Sequence, residues 1–258
     1  MTAVPAGGLH YRVDGAAGAP AILLCNSLGT DLRMWEPQVA ALTGRFRVVR
    51  FDMRGHGHSA TPAGEYTLDD LGGDAEAVLD AAGVEQADIC GESLGGVVAL
   101  WLAIHRADRV NKVVLANSAA RVGTSGKWQE RIDTVRAGGM SAISDMVIGR
   151  FFSEQFRANR PDVVGDFRRM LDETDPEGYA GCCAALRDAD LRDATHVVTA
   201  PALVLAGAHD VATPVSNSQW LQEHLAGSRL QVLDAAHLSS VECAGEFNAA
   251  VAAFLVTG

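Results

Sequence analysis

A serine lies between two glycines in the segment Gly91-Glu92-Ser93-Leu94-Gly95, which fits the pattern G-x-S-x-G. The segment follows a short apolar run and precedes an apolar stretch with helix-forming residues. In a strand-turn-helix context this pattern is typical of a nucleophile elbow, a sharp turn that strains the serine backbone and exposes its hydroxyl. We therefore predict that Ser93 is a nucleophile and that the Leu94 N–H donates to a developing oxyanion.

A serine hydroxyl needs a histidine base, and the histidine needs a carboxylate that orients it. After an elbow serine, the acid comes first along the chain and the histidine second. Asp210 and His237 each follow an apolar run near the C-terminus, which places both at the carboxyl edge of a parallel sheet. We predict a triad of Ser93, Asp210 and His237, with Asp234 as the weaker alternative acid. Loop packing of His237 and helix capping by Asp210 are the competing interpretations.

The second oxyanion donor is expected from the loop after the first buried strand, here Asn26-Ser27-Leu28-Gly29. We predict that the Leu28 N–H is this donor. The Ser27 hydroxyl is a weaker alternative, and a simple glycine turn without a catalytic role is a third interpretation.

Other potential ligand residues do not form a metal pattern. His56 and His58 lie two apart in a glycine-rich loop without nearby thiol or acidic partners, so we expect a hydrogen-bonded loop. The five cysteines are an odd number and include no C-x-x-C pair, which disfavours metal, redox and disulfide roles. We predict neither a metal nor a cofactor.

Short apolar runs alternate along the chain with amphipathic stretches, as strands alternate with crossover helices. This alternation predicts an α/β fold with a mostly parallel sheet flanked by helices. The predicted strands are Leu9 to Val13, as an edge or hairpin strand, Ala21 to Cys25, Arg47 to Phe51, Ala87 to Cys90, Lys112 to Ala116, Ala202 to Ala206 and Leu230 to Leu233. The predicted strands after Leu9 to Val13 are nearly continuous in apolar residues, so we expect each of them to be buried on both faces of the sheet. The predicted helices are Trp35 to Leu42, Leu68 to Ala82, Leu94 to His105, Pro214 to His224 and Val241 to Leu255.

The alternation stops between Arg121 and Thr195, a stretch rich in helix formers and charge without a convincing strand. We predict a helical cap over residues 121–195, inserted into a core formed by residues 1–120 and 196–258. A chain of 258 residues is long enough for one large core.

The charge balance excludes some partners. The formal net charge of −11, from 21 basic and 32 acidic residues, disfavours nucleic-acid binding.

Residues 1–10 have no signal-peptide pattern, and no apolar stretch approaches the ~18 residues of a membrane span. We expect a cytoplasmic protein with a small-molecule partner; the sequence indicates no oligomeric state. The negative charge at first disfavours an anionic substrate, but residues 121–136 are locally positive.

The elbow, the segment Arg54-Gly-His-Gly-His-Ser59 and the order of the triad residues resemble the α/β-hydrolase superfamily over about Leu9 to Leu255. Four segments resemble 3-oxoadipate enol-lactonases more narrowly: Asn26 to Trp35, Trp128 to Val135, Gly178 to Asp190 and Ala235 to Glu242. This resemblance implies an α/β-hydrolase fold with an inserted cap. It also implies hydrolysis of 3-oxoadipate enol-lactone to 3-oxoadipate, in the β-ketoadipate pathway of aromatic catabolism, through an acyl-enzyme and without a cofactor.

The lactone that the resemblance implies carries a free carboxylate, which needs a positive partner. The candidates are Arg33 beside the oxyanion loop, and Lys127 and Arg131, which flank Trp128. Trp128 is a candidate pocket wall. Solvated surface charges, and packing of Trp128 within the cap, are the alternatives.

One residue departs from the enol-lactonase pattern, because members of that family usually carry an apolar residue where this chain has Glu92. A carboxylate beside the nucleophile repels an anionic substrate unless it points away or is paired. Two other functional classes therefore stay open. One is a different serine α/β-hydrolase, such as a carboxylesterase, a C–C bond hydrolase or a cofactor-free perhydrolase. The other is a non-catalytic small-ligand receptor.

Overall fold

The computed structural model describes residues 2–3 and 8–256, and eight strands within them form one sheet. They are β1 (Thr2–Ala3), β2 (Tyr11–Asp14), β3 (Ala21–Cys25), β4 (Arg47–Phe51), β5 (Ala87–Glu92), β6 (Val110–Ala116), β7 (Ala202–Gly207) and β8 (Arg229–Leu233). Their order across the sheet is β1-β2-β4-β3-β5-β6-β7-β8. Strands β3 to β8 are parallel to one another, whereas β2 pairs antiparallel with both β1 and β4. The mostly parallel α/β sheet predicted from the sequence is confirmed.

The described α-helices lie between the strands and at the C-terminal end. They are α1 (Glu36–Leu42), α2 (Leu68–Ala81), α3 (Leu94–His105), α4 (Ser125–Gly138), α5 (Ser144–Phe151), α6 (Glu154–Asn159), α7 (Pro161–Asp172), α8 (Pro176–Asp188), α9 (Val215–His224), α10 (Ser239–Glu242) and α11 (Ala244–Val256). Within the described ranges, no helix is long and apolar enough to cross a membrane.

Helix α3 is the central helix of the core. Every residue from Leu94 to Ala103 is buried, and the helix packs against β5, β6 and α2. A side chain at Gly72 of α2 would overlap the ring of Trp101, so the absence of one lets the two helices approach closely. Burial of each large apolar side chain of α3 contributes about 1.5–3 kcal/mol. The start of α3, directly after Ser93, is therefore held firmly on the sheet.

Two elements differ from the sequence-based expectation. The last strand, β8, was expected to be buried on both faces, but Arg229, Gln231 and Val232 are exposed because β8 lies at the edge of the sheet. The last predicted helix is two helices, α10 and α11. They are separated at Cys243, whose φ of −127° and ψ of 48° are not helical.

Helices α4 to α8, the inserted helices, all lie between β6 and β7 in the chain. Helix α4 packs along α8, and α5 packs against α7. A hydrogen bond of 3.0 Å from Leu238 N to Phe151 O joins the end of α5 to the loop that carries His237. The inserted helices thus contact the loop beside a predicted catalytic residue. Residues 1, 4–7, 257 and 258 of the predicted core lie outside the described residues.

Candidate active site

The turn between β5 and α3 has the strained geometry of a nucleophile elbow. Ser93 has a φ of 58° and a ψ of −117°, a conformation that is costly for a residue with a side chain. A Cβ atom at Gly91 would overlap the carbonyl of Gly95, and a Cβ at Gly95 would overlap the carbonyl of Cys25. Glycine is therefore required at both positions of the motif, and the sharp turn presents the Ser93 side chain at the carboxyl edge of the sheet.

The structure brings Ser93, His237 and Asp210 together. Ser93 Oγ lies 2.8 Å from His237 Nε2, and His237 Nδ1 lies 2.8 Å from Asp210 Oδ2. Because an ionised carboxylate only accepts hydrogen bonds, Nδ1 carries the proton and Nε2 is free to accept from the serine hydroxyl. The alternative acid, Asp234, is instead exposed and lies 2.7 Å from His209 Nε2.

Asp210 is buried and is kept ionised by its partners. Its Oδ1 accepts hydrogen bonds from the N–H groups of Ala212 and Thr213, and its Oδ2 accepts one from Thr213 Oγ1. Burial raises the pKa of this carboxyl, but the charge and hydrogen bond of His237, with the hydrogen bonds of Asn117 and Thr213, lower the pKa to about 2. Asp210 is therefore a fixed negative charge behind the imidazole at neutral pH.

Asn117 is a polar residue of this site that the sequence analysis missed. It follows β6 at the same edge of the sheet and is fully buried. Its Nδ2 donates to Asp210 Oδ2 at 3.0 Å and to Ala236 O at 3.1 Å. The only sequence signal is its position, a polar residue directly after a buried strand. Asn117 thus holds the acid and the histidine loop in a fixed relation.

The two predicted oxyanion donors, the N–H groups of Leu28 and Leu94, lie in the loop after β3 and at the first residue of α3. Both residues are buried, and within the described part of the chain neither N–H donates a hydrogen bond. The loop of Leu28 is held by the next residue, because Gly29 N donates to His56 Nε2 at 3.0 Å. His56 Nδ1 donates to Arg54 O at 3.1 Å, so the imidazole is neutral, and burial lowers its pKa. His56 is a structural support of the oxyanion loop.

Ser27 lies in the same loop and carries an unusual hydroxyl. The residue is buried, lines the pocket that contains Ser93, and its Oγ has no hydrogen-bond partner among the described residues. A buried hydroxyl without a partner costs free energy. The Ser27 hydroxyl is therefore available to an oxygen atom of a substrate.

A pocket of about 150 Å³ lies between the carboxyl edge of the sheet and the inserted helices. A larger surface groove of about 720 Å³ lies nearby, but Ser93 does not line it. The smaller pocket is lined from the sheet side by Ser27, Leu28, Ser93, Val211, Ala212 and His237. From the other side it is lined by Val122, Gly123, Lys127, Trp128, Arg131, Val147, Arg150, Phe151 and Tyr179.

Three basic side chains line this pocket: Lys127, Arg131 and Arg150. None of the three forms an ion pair with a carboxylate in the described part of the chain. The Arg131 guanidinium lies 4.9 Å from the ring centre of Trp128 and 3.4 Å from Tyr179 Oη. Burial and the charge of Arg131 both lower the pKa of Arg150. These cations favour an anionic ligand in the pocket.

Arg33, also predicted as a substrate-binding residue, does not line the pocket. Its guanidinium contacts Asp31 at 2.5 Å, with Glu173 at 3.6 Å, and its side chain is 53% exposed. The cause is local, because Asp31 caps the short 3-10 helix Leu32–Trp35 and holds both the N–H and the guanidinium of Arg33. Arg150 is the pocket cation that the sequence analysis missed, since nothing in its sequence context distinguishes it from the other arginines of the inserted helices.

Glu92, beside the nucleophile, does not line the pocket either. Its carboxyl group is fully buried and turned toward Ser239 and Ser240. The repulsion of an anionic substrate that its sequence position suggested is therefore reduced by its orientation and pairing. Among the described residues, no cluster of three histidine, cysteine or acidic side chains could hold a metal ion.

The fold and the site together define a class of protein. The chain belongs to the α/β hydrolase fold family, whose model matches residues 20–242. It is 42% identical to 3-oxoadipate enol-lactonase 2 of Acinetobacter baylyi over 96% of this chain and 92% of that protein. The resemblance drawn from the four sequence segments is confirmed.

Solved structures give the same result. The enol-lactonase from Burkholderia xenovorans LB400 superposes with a TM-score of 0.94 at 44% identity, covering 96% of each chain. A hydrolase from Pseudomonas aeruginosa PA01 superposes with a TM-score of 0.95 at 43% identity, covering 100% of this chain and 98% of that one. The similarity therefore extends over the core and the inserted helices alike.

Proposed function

We propose that this protein is a serine hydrolase that cleaves the lactone ester of 3-oxoadipate enol-lactone to give 3-oxoadipate. The observation that carries the proposal is one pocket that contains Ser93, hydrogen-bonded to His237, and three basic side chains without a carboxylate partner among the residues that the structure describes. The first feature suits attack on an ester carbonyl, and the second suits a small substrate with a free carboxylate. The similarity to enol-lactonases over most of the chain supports the same substrate.

In the first step, His237 Nε2 takes the proton of Ser93 Oγ as the oxygen attacks the lactone carbonyl. The carbonyl oxygen becomes an oxyanion, which the N–H groups of Leu28 and Leu94 stabilise. Asp210 stabilises the imidazolium that forms on His237 and keeps its ring in the required orientation.

Collapse of the tetrahedral intermediate breaks the bond between the carbonyl carbon and the ring oxygen. The leaving group is an enolate, which departs readily because its charge is delocalised. It takes up the proton that His237 received from Ser93 and becomes a ketone, and His237 is neutral again. His237 then removes a proton from water, the water oxygen attacks the acyl-enzyme, and Ser93 recovers its proton when the acid product leaves.

The free carboxylate of the substrate binds to the basic side of the pocket. Arg131 and Arg150 are the best placed of its cations, because a guanidinium can make two parallel hydrogen bonds to a carboxylate. Lys127 adds a third charge at the same wall, and Trp128 supplies an apolar surface beneath the guanidinium of Arg131. In this arrangement Arg33 has no part in substrate binding.

The inserted helices act as the predicted cap over residues 121–195, since they supply the basic wall and reach the His237 loop through Phe151. A cytoplasmic location is supported by the five cysteines, all of which are free thiols in the structure.

The proposal is tested by following the loss of the enol-lactone absorbance with the wild-type protein and with Ser93→Ala. We expect turnover by the wild type and a fall in kcat of ~10³-fold or more in the variant. An activated aryl ester serves as the second substrate. Rapid cleavage of that ester by a wild type that leaves the lactone intact would replace the lactonase with a general esterase.

A further inference from the structure

Glu92 makes a set of hydrogen bonds that the catalytic steps above do not use. It is the last residue of β5, directly before the nucleophile, and it is 0% exposed. Its Oε1 lies 3.2 Å from Ser239 Oγ and accepts a hydrogen bond of 3.1 Å from Ser240 N. Its Oε2 accepts a hydrogen bond of 2.5 Å from Ser240 Oγ. The carboxyl group is thus bound to the first turn of α10, which follows His237 by two residues.

The proton count at Ser239 determines the direction of its hydrogen bonds. Asn117 Nδ2 faces two acceptors, Asp210 Oδ2 and Ala236 O, so the amide oxygen of Asn117 must face Ser239. Ser239 Oγ lies 2.5 Å from that amide oxygen and has a single proton to donate. This proton goes to Asn117, and the hydroxyl has none left for Glu92.

The contact between Ser239 Oγ and Glu92 Oε1 is therefore a hydrogen bond only if Glu92 is protonated and donates this proton to Ser239. A neutral Glu92 satisfies every group, because its O–H donates to Ser239 while its two oxygens accept from the N–H and O–H of Ser240. An ionised Glu92 instead competes with Asn117 for the one proton of Ser239. The carboxylate of Glu92 and the amide oxygen of Asn117 would then share the one proton of Ser239, and one of these buried acceptors would lack a donor at a cost in free energy.

We propose that Glu92 is a positioning residue that acts in its neutral form, donating through Ser239 to Asn117 and thereby holding Asp210 against His237. The order of donation is Glu92 to Ser239, Ser239 to Asn117, and Asn117 to Asp210. The proton of Glu92 stays on its own oxygen and is not transferred to substrate. This inference rests on the proposed serine mechanism but not on the choice of the lactone as substrate.

The surroundings of Glu92 support a neutral carboxyl near pH 7. Burial raises its pKa to about 7, although the hydrogen bonds of Ser240 and the charge of His237 oppose the rise. Among the described residues, no lysine or arginine forms an ion pair with it. Besides His237, which is present in every variant compared below, the titratable groups that face it are the thiols of Cys90 on β5 and Cys243 after α10, with Asp210 one asparagine away.

These other groups do not change charge near pH 7. Burial raises the pKa of Cys90 well above its usual value and raises that of Cys243 to about 12, so both thiols stay neutral. Asp210 has a pKa of about 2 and stays ionised. A change of rate at alkaline pH that depends on residue 92 therefore reports the Glu92 carboxyl.

The test compares Glu92→Gln, Glu92→Ala and the wild type, with an activated aryl ester as substrate so that lactone specificity does not enter. The amide of Glu92→Gln can still donate to Ser239 Oγ and accept from Ser240 Oγ, and it loses only the hydrogen bond from Ser240 N. We therefore expect a kcat within about threefold of the wild type at pH 6 and no decline through about pH 7 to 9. The wild-type kcat is expected to fall severalfold over that range. Glu92→Ala is expected to lose about tenfold in kcat at every pH, with little change in KM.

The matched control is Glu85→Gln, an exposed residue just before β5, which should keep the wild-type profile. An infrared difference spectrum gives a second measurement. Burial raises the pKa of Asp88 to about 6, so its protonated carboxyl contributes to both proteins at pH 6. Subtraction of the Glu92→Gln spectrum from the wild-type spectrum should therefore leave a further carboxyl carbonyl band, which belongs to Glu92. The proposal is overturned if Glu92→Gln declines with pH as the wild type does, if it loses as much kcat as Glu92→Ala, or if that band is absent from the difference spectrum.

Discussion

Asn117 Nδ2 lies 3.0 Å from Asp210 Oδ2 and connects the end of β6 to the catalytic edge of β7. The same amide group donates to Ala236 O, one residue before His237. Asn117 adopts a φ of 46°, a left-handed conformation that asparagine tolerates better than most residues. One side chain thus relates the acid, the base and the strand beside the nucleophile.

Removal of this amide should slow catalysis without abolishing it. We expect Asn117→Ala to lower kcat about tenfold, because Asp210 loses one hydrogen bond to its charged form and the His237 loop loses another. The measurement is steady-state hydrolysis of an aryl ester, with Asn159→Ala, an exposed asparagine of α6, as the control. Equal kcat values in the two variants would show that Asn117 does not position the triad.

The choice of acid is tested by a pair of isosteric variants. Asp210→Asn should lower kcat by about 10³- to 10⁴-fold, because the amide cannot stabilise the imidazolium and favours the wrong tautomer of His237. Asp234→Asn should leave kcat nearly unchanged, because Asp234 is exposed and contacts His209. A large loss in Asp234→Asn with activity retained in Asp210→Asn would reverse the assignment.

Ser27 and Ser218 form a second matched pair. Both hydroxyls are buried and have no hydrogen-bond partner in the described part of the chain, but of the two only Ser27 lines the pocket. Replacement of either serine by alanine removes an unsatisfied buried group and should stabilise the protein by about 1 kcal/mol. Only Ser27→Ala should lower kcat/KM for the lactone, by about tenfold. Urea unfolding and lactone turnover measure the two effects, and a loss of activity in Ser218→Ala would contradict this interpretation.

The buried carboxyl of Glu92 should make stability depend on pH. Its pKa in the folded state, about 7, lies above the ordinary value of 4.5, so the folded state binds the proton more tightly than the unfolded state. The contribution of this group to stability is therefore present below about pH 4.5 and is lost as pH rises through 7. Relative to Glu92→Gln, the wild type should lose up to about 3 kcal/mol between pH 4.5 and 8. Parallel unfolding free energies of the two proteins across this range would contradict the raised pKa.

The local sequence predicts those parts of the site that one segment encodes. Gly91 is required by a contact with Gly95, within the same motif, although Gly95 is required by the carbonyl of Cys25 on another strand. The apolar runs indicate where each strand ends, and so which residues lie at the carboxyl edge of the sheet. Asp210 and His237 could be placed because each directly follows such a strand. The buried parallel strands and the helix α3 were also predictable, because each is a continuous apolar segment of the sequence.

The parts that were missed depend on contacts between distant segments. The Arg33 guanidinium is paired with the carboxylate of Asp31, two residues earlier, and so is not free for a substrate. Arg150 lines the pocket because α5 ends against the His237 loop. Asn117 and Glu92 acquire their roles from hydrogen bonds to residues more than ninety positions away. The exposed strand β8 was mistaken for a buried one because a short apolar run does not reveal an edge.

In the proposed function, the basic wall of the pocket selects an anionic lactone. The direct measurement is the ratio of kcat/KM for 3-oxoadipate enol-lactone to kcat/KM for its neutral methyl ester, in the wild type, Arg131→Gln, Arg150→Gln and the control Arg33→Gln. We predict that the ratio falls about 10- to 100-fold in each of the first two variants, because each loses a charge-assisted hydrogen bond. The ratio should stay at the wild-type value in Arg33→Gln, whose charge is held by Asp31. An unchanged ratio in both pocket variants, or a fall in Arg33→Gln alone, would contradict the account.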